Sequence, residues 1–141
     1  MKKTNKIKHF KHSYSELAKV GVKYYNDTNF CTVIGLAVAC DLSFGKARAI
    51  AERTVKRVKG RGLSQWDIHK LYQSMGKQLT HVPNVYGATL GTVANHAPMS
   101  GRYMFLTRSH CAVSRDGVIE DWSAKGSRHR VRMCYKIEDL K

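Results

Sequence analysis

Residues 26–40, NDTNFCTVIGLAVAC, set Cys31 between a polar run and an apolar one. Asp27, Thr28 and Asn29 are helix-capping residue types, so the apolar run Phe30 to Cys40 reads as a helix with the thiol in its first turn. Unpaired amide N–H groups and the helix dipole favour thiolate at such a position, and thiolate is the nucleophilic form. Far downstream, HCAVSRDGVIED contains Asp116-Gly117, a dipeptide that favours a two-residue hairpin turn. With that turn Arg115 pairs with Val118, Ser114 with Ile119, Val113 with Glu120 and Ala112 with Asp121. Alternation then puts His110, Ala112 and Asp121 on one face, Asp121 diagonal to His110, and Cys111 on the other face. A carboxylate that orients an imidazole is half of a nucleophile, base and orienter triad, and Cys31 is the thiol that could complete it. Gly35, one turn beyond Cys31, leaves room for a strand carrying His110 to approach the helix.

The elements that must position these groups follow from periodicity and punctuation. SYSELAKVGVKYY, from Ser13, has Leu17, Val20 and Tyr24 at helical spacing. Phe30 to Cys40 is apolar on nearly every side, as expected for a helix surrounded by other structure. Ser43 caps a further helix with Phe44, Ala47, Ile50 and Ala51 on its apolar face and Gly60 to Gly62 as its end. Ser64 caps another, beginning at Trp66 or Asp67, with Ile68, Leu71, Tyr72 and Met75 as its buried stripe. Beyond Gly76 the chain is broken by Pro83, Gly87, Gly91, Pro98 and Gly101, and from Arg102 it reads as short β segments, RYMFLT, HCAVS, VIEDW and RVRMCYKI. Helices first and strands second indicate an α+β fold, with N-terminal helices packed on a C-terminal antiparallel sheet spanning about residues 82–138. The expected organisation is a basic flexible arm over 1–12 and a single domain over 13–141.

The charge limits the partners. In 141 residues, 25 Lys and Arg stand against 10 Asp and Glu, a formal charge of +15, which favours acidic partners: an acidic protein or peptide, or nucleic acid. A rival reading rests on SFGKARAIAERTVKRVKGRGLSQWDIHKLYQ, two helices with Lys46, Arg48, Arg53, Lys56, Arg57, Lys59 and Arg61 nearby, superficially a helix-turn-helix. Nucleic-acid binding of that kind would weaken steeply with salt and survive loss of Cys31. Cys31, Cys40, Cys111 and Cys134 form no C-x-x-C pair and show no zinc-ligand spacing, and the histidines at 9, 12, 69, 81, 96 and 129 show none either. No metal or cofactor is expected, Cys40, Cys111 and Cys134 read as packing, and Trp66 and Trp122 read as core residues. The start MKKTNKIKHFKH lacks an apolar run behind its charges, and no stretch approaches the length of a membrane span, so the expected setting is the cytoplasm, with free thiols and no membrane partner.

A Cys opening a central helix, a His opening a strand well downstream and an Asp on the next strand is the order found in papain-like cysteine peptidases. More narrowly, NDTNFCTVIGLAVACDLSFGKAR together with GRYMFLTRSHCAVSRDGVIEDW resembles small phage-encoded proteins of the papain-like, C39-peptidase-like superfamily. Their pattern runs N-x-C-x-x-x-A-hydrophobic-A, then G-x-Y, H-A-hydrophobic, D-G and a final D. Asn29, Cys31, Gly35, Ala37, Gly101, Tyr103, His110, Val113, Asp116, Gly117 and Asp121 occupy it here, over residues 26–122. The resemblance implies a papain-like fold and a thiol peptidase that cleaves a peptide or isopeptide bond through Cys31, His110 and Asp121, without a cofactor, in the cytoplasm of a phage's host. Gly35 and Cys111 stand where the pattern has other small residues. No Gln precedes Cys31, so Asn26 or Asn29 is the expected side-chain donor to the oxyanion, beside the Cys31 N–H. A third reading keeps the fold without turnover, as a protein that binds a host factor.

Overall fold

The computed structural model describes residues 10–11, 15–27, 30–96, 100–108, 110–120 and 128–140. In chain order the elements are β1 (Phe10–Lys11), α1 (Ser15–Tyr25), α2 (Cys31–Cys40), α3 (Phe44–Val55), α4 (Gln65–Ser74), β2 (Lys77–His81), a 3-10 turn (Pro83–Val85), α5 (Leu90–His96), β3 (Arg102–Leu106), β4 (Cys111–Arg115), β5 (Val118–Glu120) and β6 (Met133–Asp139). The fold is α+β: α1 to α4 precede most of the sheet, α2 and α4 pack against it, and α3 packs on α2 and α4 with α1 against α3.

The caps and turns are largely local chemistry. Ser43 and Ser64 accept backbone hydrogen bonds from Lys46 and Asp67, each at 3.2 Å, and so open α3 and α4 as their positions predict. At the β4–β5 turn Asp116 has φ 51° and Gly117 φ 86°, the two left-handed residues that a tight hairpin demands. The register follows: Val113 faces Glu120, Ser114 faces Ile119 and Arg115 faces Val118. The expected Ala112–Asp121 pair lies outside the described residues, as does Trp122.

Strand order is β1-β5-β4-β3-β6-β2. β5, β4, β3, β6 and β2 pair antiparallel, and β1 joins the edge parallel to β5. Phe10 and Lys11, expected within a free arm, are thus tied to the sheet; residues 1–9 lie outside the described residues. β2 was not legible as a strand. It is an outer strand with both faces partly wet, so no apolar run marks it. α5 likewise sits in the stretch whose glycines and prolines suggest only loops.

Side chains alternate across the sheet and build two apolar clusters. Met104, Leu106, Cys111, Val113, Tyr135 and Ile137 face α2, α3 and α4. Phe105, Ala112, Ile119 and Cys134 face the other way, with Leu90 and Val93 of α5. α2 is the centre of the first cluster, with every residue from Thr32 to Ala39 buried, which is why its sequence is apolar all round. Its C-terminus is closed by Asp41 in the left-handed conformation and by Arg102, which donates to the Ala39 carbonyl and pairs with Asp41 at 2.9 Å. No helix among the described residues is long and apolar enough to cross a membrane.

One core group is at odds with its surroundings. The Tyr72 hydroxyl is buried and has no hydrogen-bond partner among the described residues; the Cys111 and Cys40 sulfurs near it are weak acceptors. Tyr72→Phe removes an unsatisfied polar group and keeps the ring, so the urea midpoint is expected to rise by the equivalent of about 1 kcal/mol. A fall of that size would mean that the hydroxyl has a partner in solution.

Candidate active site

Cys31 is the first residue of α2, but not for the reason its sequence suggests. Phe30 holds the N-cap position, with φ −108° and ψ 24°, and makes no side-chain cap. Asp27 turns away from the helix altogether. Its carboxylate is buried and accepts from Arg57 Nη1 at 2.7 Å, Arg57 Nη2 at 3.1 Å, Arg48 Nε at 3.1 Å and the Gly60 N–H at 2.7 Å. Thr28 and Asn29 lie outside the described residues. With no capping oxygen on Phe30, the sulfur itself interacts with the Cys31 and Thr32 backbone groups, the Thr32 hydroxyl and the Cys111 backbone.

Those interactions favour thiolate, yet burial outweighs them and pushes the Cys31 thiol above its ordinary value. The first turn of the helix favours thiolate, as its position suggests, but burial is the larger effect. A sulfur withdrawn from water is costly to charge, and one helix turn does not offset that cost. Near neutral pH the resting group is a thiol, and a nucleophile at this position needs a base.

His110 is the second candidate. It immediately precedes β4 at the end of a tight turn, where its carbonyl accepts from the Thr107 N–H at 2.9 Å and from the Thr107 hydroxyl at 3.2 Å. Its ring meets His129 edge-on, with centroids 4.9 Å apart. Cys31 and His110 line the same open cleft of about 350 Å³, together with Thr32, Gln65, Arg108 and Cys111. Two residues remote in sequence, one opening α2 and one just before β4, thus face the same cleft.

The approach of β4 to α2 is as close as Gly35 suggests, but its occupants differ. A Cβ at Gly35 would lie 3.3 Å from Cys111 Sγ and 3.4 Å from Val113 Cγ2. Cys111 and Val113 fill that gap, whereas His110 sits at the strand's end, in the cleft. Cys111, expected on the face away from the site, is buried against α2. The correction comes from where β4 starts: His110 is outside the ladder, so strand alternation does not govern it.

The other sequence candidates separate. Asp121 and Asn29 lie outside the described residues. Asn26 is exposed, left-handed at φ 50°, and ends α1; it does not line the cleft. Gln65 does, and sequence reasoning missed it because a Gln behind a Ser cap looks like any helix start. Trp66, expected in the core, is 81% exposed. In the cationic stretch, Arg48 and Arg57 are committed to Asp27, with side-chain exposures of 19% and 1%, which removes two charges from any nucleic-acid face there. Among the described residues no group of three His, Cys, Asp or Glu side chains is placed to hold a metal ion.

Comparison with protein-family models, curated proteins and solved structures returns no match.

Proposed function

We propose that this chain is a cysteine hydrolase of papain-like architecture, a thiol peptidase acting on a peptide or isopeptide bond. The observation that carries the reading is the shared cleft of Cys31 and His110 at the uncapped start of a buried helix. In this scheme His110 takes the proton from Cys31, the thiolate attacks the carbonyl carbon, and the proton passes to the leaving amine. Water then attacks the acyl-enzyme with His110 as base, releasing the acid and restoring the thiol. The Cys31 N–H and the Gln65 side-chain amide, on the same cleft, are the donors assigned to the oxyanion. Asp121 is assigned as the group that orients His110 on the strength of the family resemblance.

Because burial holds the Cys31 proton on, reactivity near neutral pH has to come from His110. The test is the pH dependence of iodoacetamide labelling at each cysteine, read by peptide mass spectrometry. The expected result is selective labelling of Cys31 at about pH 7 that falls at least about tenfold in His110→Ala, each unit of raised pKa cutting the thiolate fraction about tenfold. In that variant the labelling of Cys31 should rise only at pH values above the ordinary thiol range, since burial then acts unopposed by the base. Cys134, pushed up to about 12 by burial, serves as the inert reference. Equal labelling of Cys31 in the two proteins would sink the proposal.

A further inference from the structure

We propose that a groove along α4, adjoining the cleft at Gln65, binds an extended acidic polypeptide carrying an aromatic side chain, with Trp66 as its apolar shelf and Lys70 as its charge partner. The inference rests on the hydrolase reading and names the substrate class for it.

Gln65, Trp66, His69, Lys70 and Gln73 line an opening of about 640 Å³ on the outer face of α4. Gln65 lines both this opening and the cleft that contains Cys31 and His110, so the two openings adjoin at that side chain. The floor is fixed: the His69 ring rests edge-on against the buried Tyr135, centroids 4.9 Å apart. At the rim Trp66 leaves 81% of its surface to solvent. An exposed Trp beside a wet groove offers a large rigid contact area at little entropic cost, as binding surfaces do.

Charge selects the occupant. Among the described residues that line the groove and the cleft none is acidic, while Lys70 lies in the first and Arg108 in the second. A segment with carboxylates is drawn to such a surface. Nucleic acid fits less well: it carries a charge on every nucleotide and needs a row of cations, whereas a polypeptide can set a single carboxylate opposite Lys70, the one lysine or arginine among the described residues lining the groove. The amides of Gln65 and Gln73 instead match a peptide, whose backbone offers both donors and acceptors.

The test uses full-length Cys31→Ala protein and a fluorescein-labelled random copolymer of glutamate and tyrosine, followed by fluorescence anisotropy. Trp66→Ala and Lys70→Glu alter exposed side chains, and a urea titration confirms that each variant is folded. Each is expected to weaken binding by about tenfold, the equivalent of about 1.4 kcal/mol, and polyglutamate is expected to bind more weakly than the copolymer. In protein that retains Cys31, saturating unlabelled copolymer should slow iodoacetamide labelling of Cys31, and Trp66→Ala should abolish that protection. Unchanged affinity in both variants, or no protection, overturns the proposal. So does Trp66-dependent binding of an oligothymidylate of about 20 nucleotides, which would give the groove to nucleic acid. Binding to Cys31→Ala requires no turnover, so failure of the hydrolase reading would show as His110-independent labelling of Cys31 while copolymer binding persisted.

Discussion

Asp27→Ala is expected to lower the unfolding free energy by about 3–5 kcal/mol, the range for breaking a buried ion pair from one side. The size follows from who is left behind. Arg57 is 1% exposed and meets the carboxylate through two nitrogens, at 2.7 and 3.1 Å; without Asp27 its charge stays in the protein interior facing the vacated site. Its bond to the Arg61 carbonyl, at 2.9 Å, is to a neutral acceptor and does not replace the lost charge. Arg48 is in a different position: it is partly exposed and already pairs with Glu52 at 3.2 Å, so Arg48→Ala is expected to cost only about 1 kcal/mol or less. Arg57→Ala should cost less than the Asp27 change, because the carboxylate keeps Arg48 Nε at 3.1 Å and the Gly60 N–H at 2.7 Å. Replacing both partners by apolar residues, as Asp27→Leu with Arg57→Met, should recover part of the loss, since no buried charge of the pair is then left alone. Urea denaturation of the single variants and the double variant measures all of this. Equal, small effects for Asp27→Ala and Arg48→Ala would show that Arg57 is not buried in solution.

The same carboxylate marks the limit of what local sequence rules can deliver. Reading Asp27 as a helix cap uses its neighbours in the chain, and by that rule it is a good choice. Arg57, thirty positions away, outcompetes the helix because a guanidinium in the interior needs the charge more than an amide needs a cap. The end of α3 is misread for a related reason. The glycines at 60 and 62 suggest a stop there, but the helix ends at Val55, where Lys56 turns left-handed at φ 58° and Arg57 swings inward to Asp27. Where the controlling interaction is local, the sequence reading holds: the Ser43 and Ser64 caps, the left-handed Asp116-Gly117 turn and the three of its four expected hairpin pairs that fall within the described residues appear. Trp66 was within reach of the same logic. It falls two positions before Ile68 and therefore off the buried stripe of Ile68, Leu71 and Tyr72; treating tryptophan as core by type overrode the period. Gln65 was not within reach, since only tertiary packing brings α4 beside Cys31. The Cys31–His110 neighbourhood is intermediate, read from the order of motifs and supported by the cleft the two share.

The largest kinetic effect is expected at His110 and, through it, at Asp121. If His110 is the base, His110→Ala costs about 10²–10⁴-fold in turnover on any substrate the groove accepts. Asp121→Ala in the native background should also slow the reaction steeply, because an imidazole free to rotate or to adopt the other tautomer presents the wrong nitrogen to Cys31. In a His110→Ala background the same change should do almost nothing, since an orienter has no role once the group it orients is gone. This non-additivity separates positioning from structural support: a residue that only stabilises the fold would lower activity and the urea midpoint in both backgrounds. Iodoacetamide labelling of Cys31 gives the measurement before any substrate is known. Four proteins suffice, the native chain, the two single variants and the double variant, each followed over a pH series. The expected pattern is a labelling limb near neutral pH in the native chain, weakened in Asp121→Ala, absent in His110→Ala, and no lower still in the double variant. Burial makes the contrast large, because it drives the thiol upward where the base is missing, so the thiolate fraction at neutral pH in the two proteins that lack His110 falls below that of an ordinary exposed cysteine.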